Sequence, residues 1–84
     1  MKEYFVTFRS ITFAQRGQSV LNSAGIPCTL QRTPRWMEEK GCGYSLRLKP
    51  GYAREAVDLL RSKSVPFSKF YARRNDNVLE ELQP

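Results

Sequence analysis

The chain has 84 residues, of which 40% are hydrophobic and 12% aromatic, enough for one small domain with its own core. No apolar run approaches the ~20 residues of a membrane span, and no secretory signal follows Met1, so we expect a cytoplasmic protein. Two cysteines and no histidine exclude a disulfide framework and an ordinary zinc site and remove the commonest general base. We therefore expect neither hydrolytic chemistry nor a metal or cofactor.

The charge is unevenly distributed along the chain. The formal net charge is +6, but residues 75–84 hold three acidic side chains and no basic one. The other 74 residues carry +9, from 14 basic and five acidic side chains. We take residues 1–74 as a single domain and residues 75–84 as an acidic C-terminal tail. The basic domain attracts anions or nucleic acid, unless its charge serves only to keep the surface hydrated.

The first third of the chain predicts a strand and a helix. Residues 3–8, EYFVTF, are aromatic and β-branched, as in a central strand. Ser10 is a candidate N-cap for a helix whose apolar stripe ends before Gly25, which stops the helix. Gly17 lies within the stripe and would permit close approach of helix to sheet. The predicted stripe consists of Phe13, Ala14, Gly17, Val20, Leu21 and Ala24.

The remainder predicts two strands, a second helix and a fourth strand. Residues 26–32 form the second strand, with Cys28 facing the core, and residues 33–43 a connection. Residues 44–49 alternate, with Ser45, Arg47 and Lys49 on the face without apolar side chains. A helical stripe and a final strand follow, in residues 52–64 and 65–74. The stripe of this second helix comprises Ala53, Ala56, Val57 and Leu60.

This order of elements, βαββαβ, is typical of an α+β ferredoxin-like sandwich. We expect a four-stranded antiparallel sheet in the order 4-1-3-2 with both helices on one face. A hairpin around the 33–43 connection would set Cys28 opposite Arg47. Cys28 would then lie ~15 Å from Cys42 along the strands, too far for a disulfide.

The segment GCG places Cys42 between Gly41 and Gly43, immediately before the third strand. The glycines leave the sulfur unshielded and allow backbone N–H groups to point at a bound anion. The pattern is typical of an accessible, reactive thiol. A structural cysteine flanked by turn glycines is the alternative from the residues alone.

The predicted topology also supplies groups that stabilise a thiolate at this position. The third strand begins where the antiparallel first strand ends, so Cys42 would lie beside Arg9, Ser10 and the N-terminus of the first helix. Arg35 lies on the same connection. A helix N-terminus and nearby cations favour thiolate over thiol, which predicts a lowered pKa for Cys42.

Four short motifs carry a family resemblance over about residues 3–72: VTF before a capped helix, AGIPCTL, TPR and CGYSLR. Together they resemble the Putative Se/S carrier protein-like family. The resemblance implies that Pro34 and Arg35 correspond to the family's PR, and Cys42 and Gly43 to its CG. It also implies that Cys42 is the carrier thiol, which accepts sulfur or selenium from a donor protein and passes it to an acceptor.

Two non-covalent functions are the alternatives to a carrier. A nucleic-acid-binding module of this fold would present stacking aromatics, whereas the third strand offers Ser45, Arg47 and Lys49. A module that binds a small anionic ligand would not need Cys42. A heavy-metal chaperone is excluded because the first loop, RSITFAQ, contains no CxxC pair. We expect a carrier or binding protein rather than an enzyme.

Overall fold

The computed structural model describes residues 3–33, 43–74 and 79–82. Two helices and an antiparallel sheet make up this part of the chain. In chain order the elements are β1 (Glu3–Phe8), α1 (Ile11–Ser23), β2 (Cys28–Arg32), β3 (Tyr44–Leu48), a 3-10 turn (Pro50–Tyr52), α2 (Ala53–Ser62), β4 (Lys69–Arg73) and β5 (Leu79–Leu82).

The sheet has five strands in the order β2-β3-β1-β4-β5, with β1 at its centre. The four predicted strands take their predicted order, but the prediction of a four-stranded sheet is wrong. Four residues of the acidic segment, Leu79–Leu82, pair antiparallel with β4 at the edge of the sheet. The Lys69 ammonium contacts the Glu81 carboxylate at 3.1 Å, and Leu82 packs against the core. The added strand means that a four-stranded ferredoxin-like sandwich does not describe this chain fully.

Both helices pack on one face of the sheet, as predicted, and the main core lies between the two layers. Its fully buried side chains include Val6 and Phe8 from β1, Leu46 from β3 and Leu60 from α2. Gly17 lies where α1 meets this core. A Cβ built on Gly17 would be 3.1 Å from the Phe8 ring and 3.3 Å from a Leu46 methyl group, so a larger residue here would crowd these two side chains.

The apolar stripe of α1 is narrower than the sequence indicated. Ala14, Gly17 and Leu21 are buried and Val20 is partly buried. Phe13 and Ala24 are exposed, so their assignment to the core stripe is wrong. The predicted stop at Gly25 is confirmed, since this residue has a φ of +77° and its N–H donates to the Asn22 carbonyl at 3.0 Å. The predicted stripe of α2 is buried at all four positions.

The hairpin of β2 and β3 is shifted by one residue from the predicted register. Cys28 lies opposite Leu48, not opposite Arg47. Side chains of directly opposed residues share a face of the sheet, so pairing Cys28 with Arg47 would have put a charged side chain on the core face. The observed register keeps Cys28, Leu30, Leu46 and Leu48 together on the helix side.

Candidate functional site

Three of the predicted site residues lie at one end of the sheet, where β1 ends and β3 begins. Phe8 pairs with Tyr44, so Arg9 and Ser10 follow β1 at the same end at which Gly43 precedes β3. We call this region the Gly43 end. Its placement follows from the antiparallel register, as the sequence predicted.

The N-terminus of α1 at the Gly43 end has the predicted cap. The Ser10 hydroxyl accepts a hydrogen bond from the Phe13 N–H at 3.3 Å, and the first turn of α1 contains no acidic residue. Arg9, just before the cap, is exposed. The helix dipole and this cation each contribute positive electrostatic potential at the Gly43 end.

The other three predicted site residues, Arg35, Gly41 and Cys42, lie outside the described residues. Pro34 and the rest of the connection up to Cys42 lie outside them too. The grouping of Arg9, Ser10 and Gly43 around a reactive thiol therefore stays a prediction. The described residue nearest to that thiol in sequence is Gly43, which is covalently bonded to Cys42.

Sequence reasoning missed two hydroxyls at the Gly43 end. Thr33 lies opposite Gly43, and its N–H donates to the Gly43 carbonyl at 2.9 Å. Ser45 follows Gly43 by two residues on β3 and is fully buried. The side-chain oxygens of Thr33 and Ser45 are buried, and the described part of the chain offers neither of them a hydrogen-bond partner. Their burial could not have been predicted from the sequence, which places Thr33 in a connection and Ser45 on the strand face without apolar side chains.

A further cation missed by sequence reasoning lies near the Gly43 end on the helix side of the sheet. Arg32 pairs with Tyr44 across β2 and β3, and its guanidinium carbon lies 5.7 Å from the centre of the Tyr44 ring. This is within the range of a cation–π contact. Arg32 is exposed and adds to the positive charge of this end.

Cys28 lies at the opposite end of the hairpin, in a different chemical environment. It packs partly buried against the core, its Sγ lies 3.8 Å from the Asn22 Oδ1, and burial raises the pKa of its thiol. A cavity of about 330 Å³ adjoins it, lined by Glu3, Pro27, Cys28, Thr29, Arg47, Leu48, Lys49 and Pro50. A raised pKa keeps the thiol protonated at neutral pH, so Cys28 is poorly suited to be a nucleophile.

The sheet face away from the helices carries two aromatic side chains, on β1 and β4. The sequence-based prediction considered only the third strand and did not include them. Phe5 and Tyr71 lie opposite each other on β1 and β4 and form a second small core. Arg73 lies over the Phe5 ring, and Glu3 forms ion pairs with both Arg47 and Arg73. Both rings are buried, so they are not available for stacking with nucleotide bases.

The described fold and the Gly43 end define the chain as an α+β domain with two helices on an antiparallel sheet and a basic, capped helix N-terminus at one end. The chain belongs to the family described as Putative Se/S carrier protein-like, which it matches over residues 3–72. The resemblance expected from the motifs is therefore confirmed. No match to the chain was found among the curated proteins or among the solved structures.

Two further findings concern metals and membranes. Within residues 3–33, 43–74 and 79–82, no three His, Cys, Asp or Glu side chains are grouped so that they could hold a metal ion. Neither described helix has the length and apolar character needed to cross a membrane.

Proposed function

We propose that this protein is a sulfur or selenium carrier in which Cys42 holds the transferred atom. The observation that carries this proposal is membership of the Se/S carrier-like family over residues 3–72, a range that includes Cys42 and Gly43. A carrier also needs an environment that favours thiolate, and the described part of the Gly43 end supports one. We place the transfer in the cytoplasm, where thiols are kept reduced.

The proposed loading step is a thiol–persulfide exchange. The Cys42 thiolate attacks the terminal sulfur of a persulfide on a donor protein, a new S–S bond forms at Cys42, and the donor's S–S bond breaks. The donor leaves as a thiolate, and Cys42 becomes a persulfide. A donor selenosulfide would react at selenium in the same way and leave Cys42 as a selenosulfide. Unloading to an acceptor thiolate is the same exchange in reverse, so no net oxidant or reductant is consumed.

The electrostatics of the Gly43 end support the attacking thiolate. Ser10 caps α1 at a turn without carboxylates, and Arg9 adjoins the cap. A cation or a helix N-terminus lowers the pKa of a nearby thiol and so raises the fraction of thiolate at neutral pH. In the proposal Arg9 and Arg35 supply the cations, Ser10 and α1 supply the helix N-terminus, and Gly41 and Gly43 leave the sulfur accessible.

Exposed apolar side chains next to Arg9 support recognition of partner proteins. Ile11 and Phe13, in the first turn of α1, are 42% and 39% exposed. Aromatic residues and arginine are enriched in protein interfaces, and charged lysine and glutamate are depleted. We propose that the donor and acceptor proteins contact this turn when their own reactive groups reach Cys42.

The test is the intact mass of the protein after incubation with inorganic polysulfide, followed by removal of the reagent. Wild type and Cys28→Ser should each gain the mass of one sulfur atom, and dithiothreitol should remove it. Cys42→Ser should gain none. Cys28→Ser is the matched control, because it removes the other thiol of the chain and keeps the one proposed to react.

Two outcomes would contradict the proposal. An adduct that persists in Cys42→Ser and disappears in Cys28→Ser would show that the reactive thiol is Cys28 and not Cys42. The absence of any adduct on the wild type, with polysulfide in excess and Cys42 shown to be reduced, would remove the carrier function.

A further inference from the structure

Strand β2 forms one edge of the sheet, and its side chains reach the surface. It pairs with β3 on one side, and no described strand lies on the other. Thr29 and Arg32 are exposed, and Cys28 and Leu30 are half-buried. At the opposite edge of the sheet, β5 pairs with β4. We call the outer side of Cys28–Arg32 the β2 edge.

The ladder between β2 and β3 determines which backbone groups lie at the β2 edge. The Thr33 N–H donates to the Gly43 carbonyl at 2.9 Å, so these two residues form a hydrogen-bonded pair. Such pairs alternate with non-hydrogen-bonded pairs along an antiparallel ladder, so Gln31 and Thr29 also direct their N–H and C=O groups to β3. The three residues between them direct these groups outward: Cys28, Leu30 and Arg32. An outward row of donors and acceptors is a template for an added strand.

The surroundings of the β2 edge are basic. Strand β2 carries Arg32 and no acidic residue. At the other end of the strand, the cavity of about 330 Å³ beside Cys28 has Arg47 and Lys49 in its lining. Arg47 forms an ion pair with Glu3 at 3.5 Å, whereas Lys49 has no ion-pair partner among the described residues. A segment with acidic side chains would therefore complement the charge at both ends of β2.

The other edge of the same sheet shows such a segment in place. Strand β5 contains Glu80 and Glu81 and pairs with β4, and the Glu81 carboxylate lies 3.1 Å from the Lys69 ammonium. A second copy of the chain fits the β2 edge less well. Two antiparallel β2 strands would bring the cations of both copies together and would supply no carboxylate between them.

We propose that the β2 edge binds an extended acidic segment of a partner protein as an additional strand. The backbone of the segment pairs with the outward groups of β2, and its acidic side chains lie near Arg32 and Lys49. The cavity beside Cys28 receives one of its side chains. The interaction involves no covalent step and does not require Cys42, so it is independent of the proposed carrier function.

The experiment is hydrogen exchange of the backbone amides by NMR, without and with a synthetic peptide of residues 76–84, DNVLEELQP. The peptide is acidic and contains the sequence of β5. In the free protein the three outward amides of β2 should exchange at least about tenfold faster than those of Thr29 and Gln31, which are bonded to β3. Saturating peptide should slow the outward amides at least about tenfold and leave the amides of β4 unchanged.

Two control peptides separate backbone pairing from charge. Methylation of the backbone nitrogens of residues 79–82 keeps every side chain and removes the donors for strand pairing, so this peptide should not protect the outward amides. The peptide with Glu80→Gln and Glu81→Gln should bind at least about threefold more weakly, because it loses its ion pairs.

Protein variants test the same two contributions. Lys49→Gln should raise the Kd of the peptide about threefold. Arg61→Gln is its matched control, because it removes an exposed cation from α2 and should leave the Kd unchanged. Arg32→Pro removes an outward N–H without breaking a bond to β3, and it should weaken binding more than Arg32→Gln, which removes the charge alone. If the proline variant does not fold, Lys49→Gln and the methylated peptide decide the question.

Each of the other outcomes would overturn the proposal. Slow exchange of the Leu30 amide in the free protein at all concentrations would mean that another part of the chain covers the edge. Protection that increases with protein concentration in the absence of peptide would assign the edge to a second copy. Effects of the peptide confined to β4, or no effect at all, would exclude docking at β2. Equal binding of the methylated peptide would exclude strand pairing, and an unchanged Kd in Lys49→Gln would exclude recognition by charge.

Discussion

Replacing Thr33 by valine should stabilise the protein, because the threonine hydroxyl is buried without a partner in the described chain. Valine has nearly the same shape, with a methyl group in place of the hydroxyl. Burying an unpaired hydroxyl costs about 1–3 kcal/mol in mutational data, so removing it should raise the unfolding free energy by about 1 kcal/mol. For a domain of this size that corresponds to a rise in Tm of about 4–8 °C.

The same substitution at Thr7 should have the opposite sign. Thr7 is buried on the same face, but its hydroxyl accepts from the Lys69 N–H at 3.1 Å and lies 3.5 Å from the Lys69 carbonyl, to which it donates. Valine would remove the acceptor and leave the partly buried Lys69 N–H without it. The loss should be about 1–2 kcal/mol of unfolding free energy. Two threonine-to-valine changes on one sheet are thus expected to differ by about 2–3 kcal/mol.

The assay is urea unfolding at neutral pH, monitored by the fluorescence of the single tryptophan and by circular dichroism. The slope m should be the same in all variants, so that a change in midpoint reports stability. Thr33→Val as destabilising as Thr7→Val would mean that the Thr33 hydroxyl has a partner within the protein. That result would refute the stability argument.

Three further predictions concern the core and the two thiols. Gly17→Ala should lower the unfolding free energy by about 1 kcal/mol. Overpacking against Phe8 costs about 1–3 kcal/mol, which exceeds the gain of about 1 kcal/mol from the higher helix propensity of alanine. Urea unfolding that shows increased stability would contradict this prediction. In a Cys42→Ser background, the alkylation rate of Cys28 should reach half its maximum at a pH above ~8.5, the pKa of a free thiol, because burial raises the pKa of Cys28. The folded protein favours the neutral thiol of Cys28. The stability that this thiol contributes is therefore present below its pKa in the unfolded chain and is lost as the pH rises through its pKa in the folded protein. An alkylation midpoint at or below that of a free thiol would refute the raised pKa of Cys28. In a Cys28→Ser background, the alkylation midpoint of Cys42 should lie below ~8.5 and should rise in Arg9→Ala; a midpoint that this change leaves unaltered would remove Arg9 from the proposed site.

The main elements of this protein could be read from local patterns in the sequence. Aromatic and β-branched residues predicted β1, alternation predicted β3, and a stripe at helical spacing predicted α2 at all four buried positions. Gly25 stopped α1 because glycine takes a positive φ without strain. The family motifs were also local, and the family was confirmed over residues 3–72. Such features depend on residues close together in the chain, so they can be recognised without knowing the fold.

The fifth strand, the hairpin register and the buried hydroxyls were decided only by the tertiary structure. Leu79–Leu82 contains two glutamates and has little strand propensity, and it is a strand because β4 offers an open edge and Lys69 an ion pair. Register depends on which side chains the core can accept, which excluded Arg47 opposite Cys28. In the sequence Thr33 belongs to a connection and Ser45 is an ordinary polar residue of a strand. Only the structure shows that both are buried without a hydrogen-bond partner among the described residues. Each of these properties depends on contacts between residues distant in the chain, and no local pattern encodes such contacts.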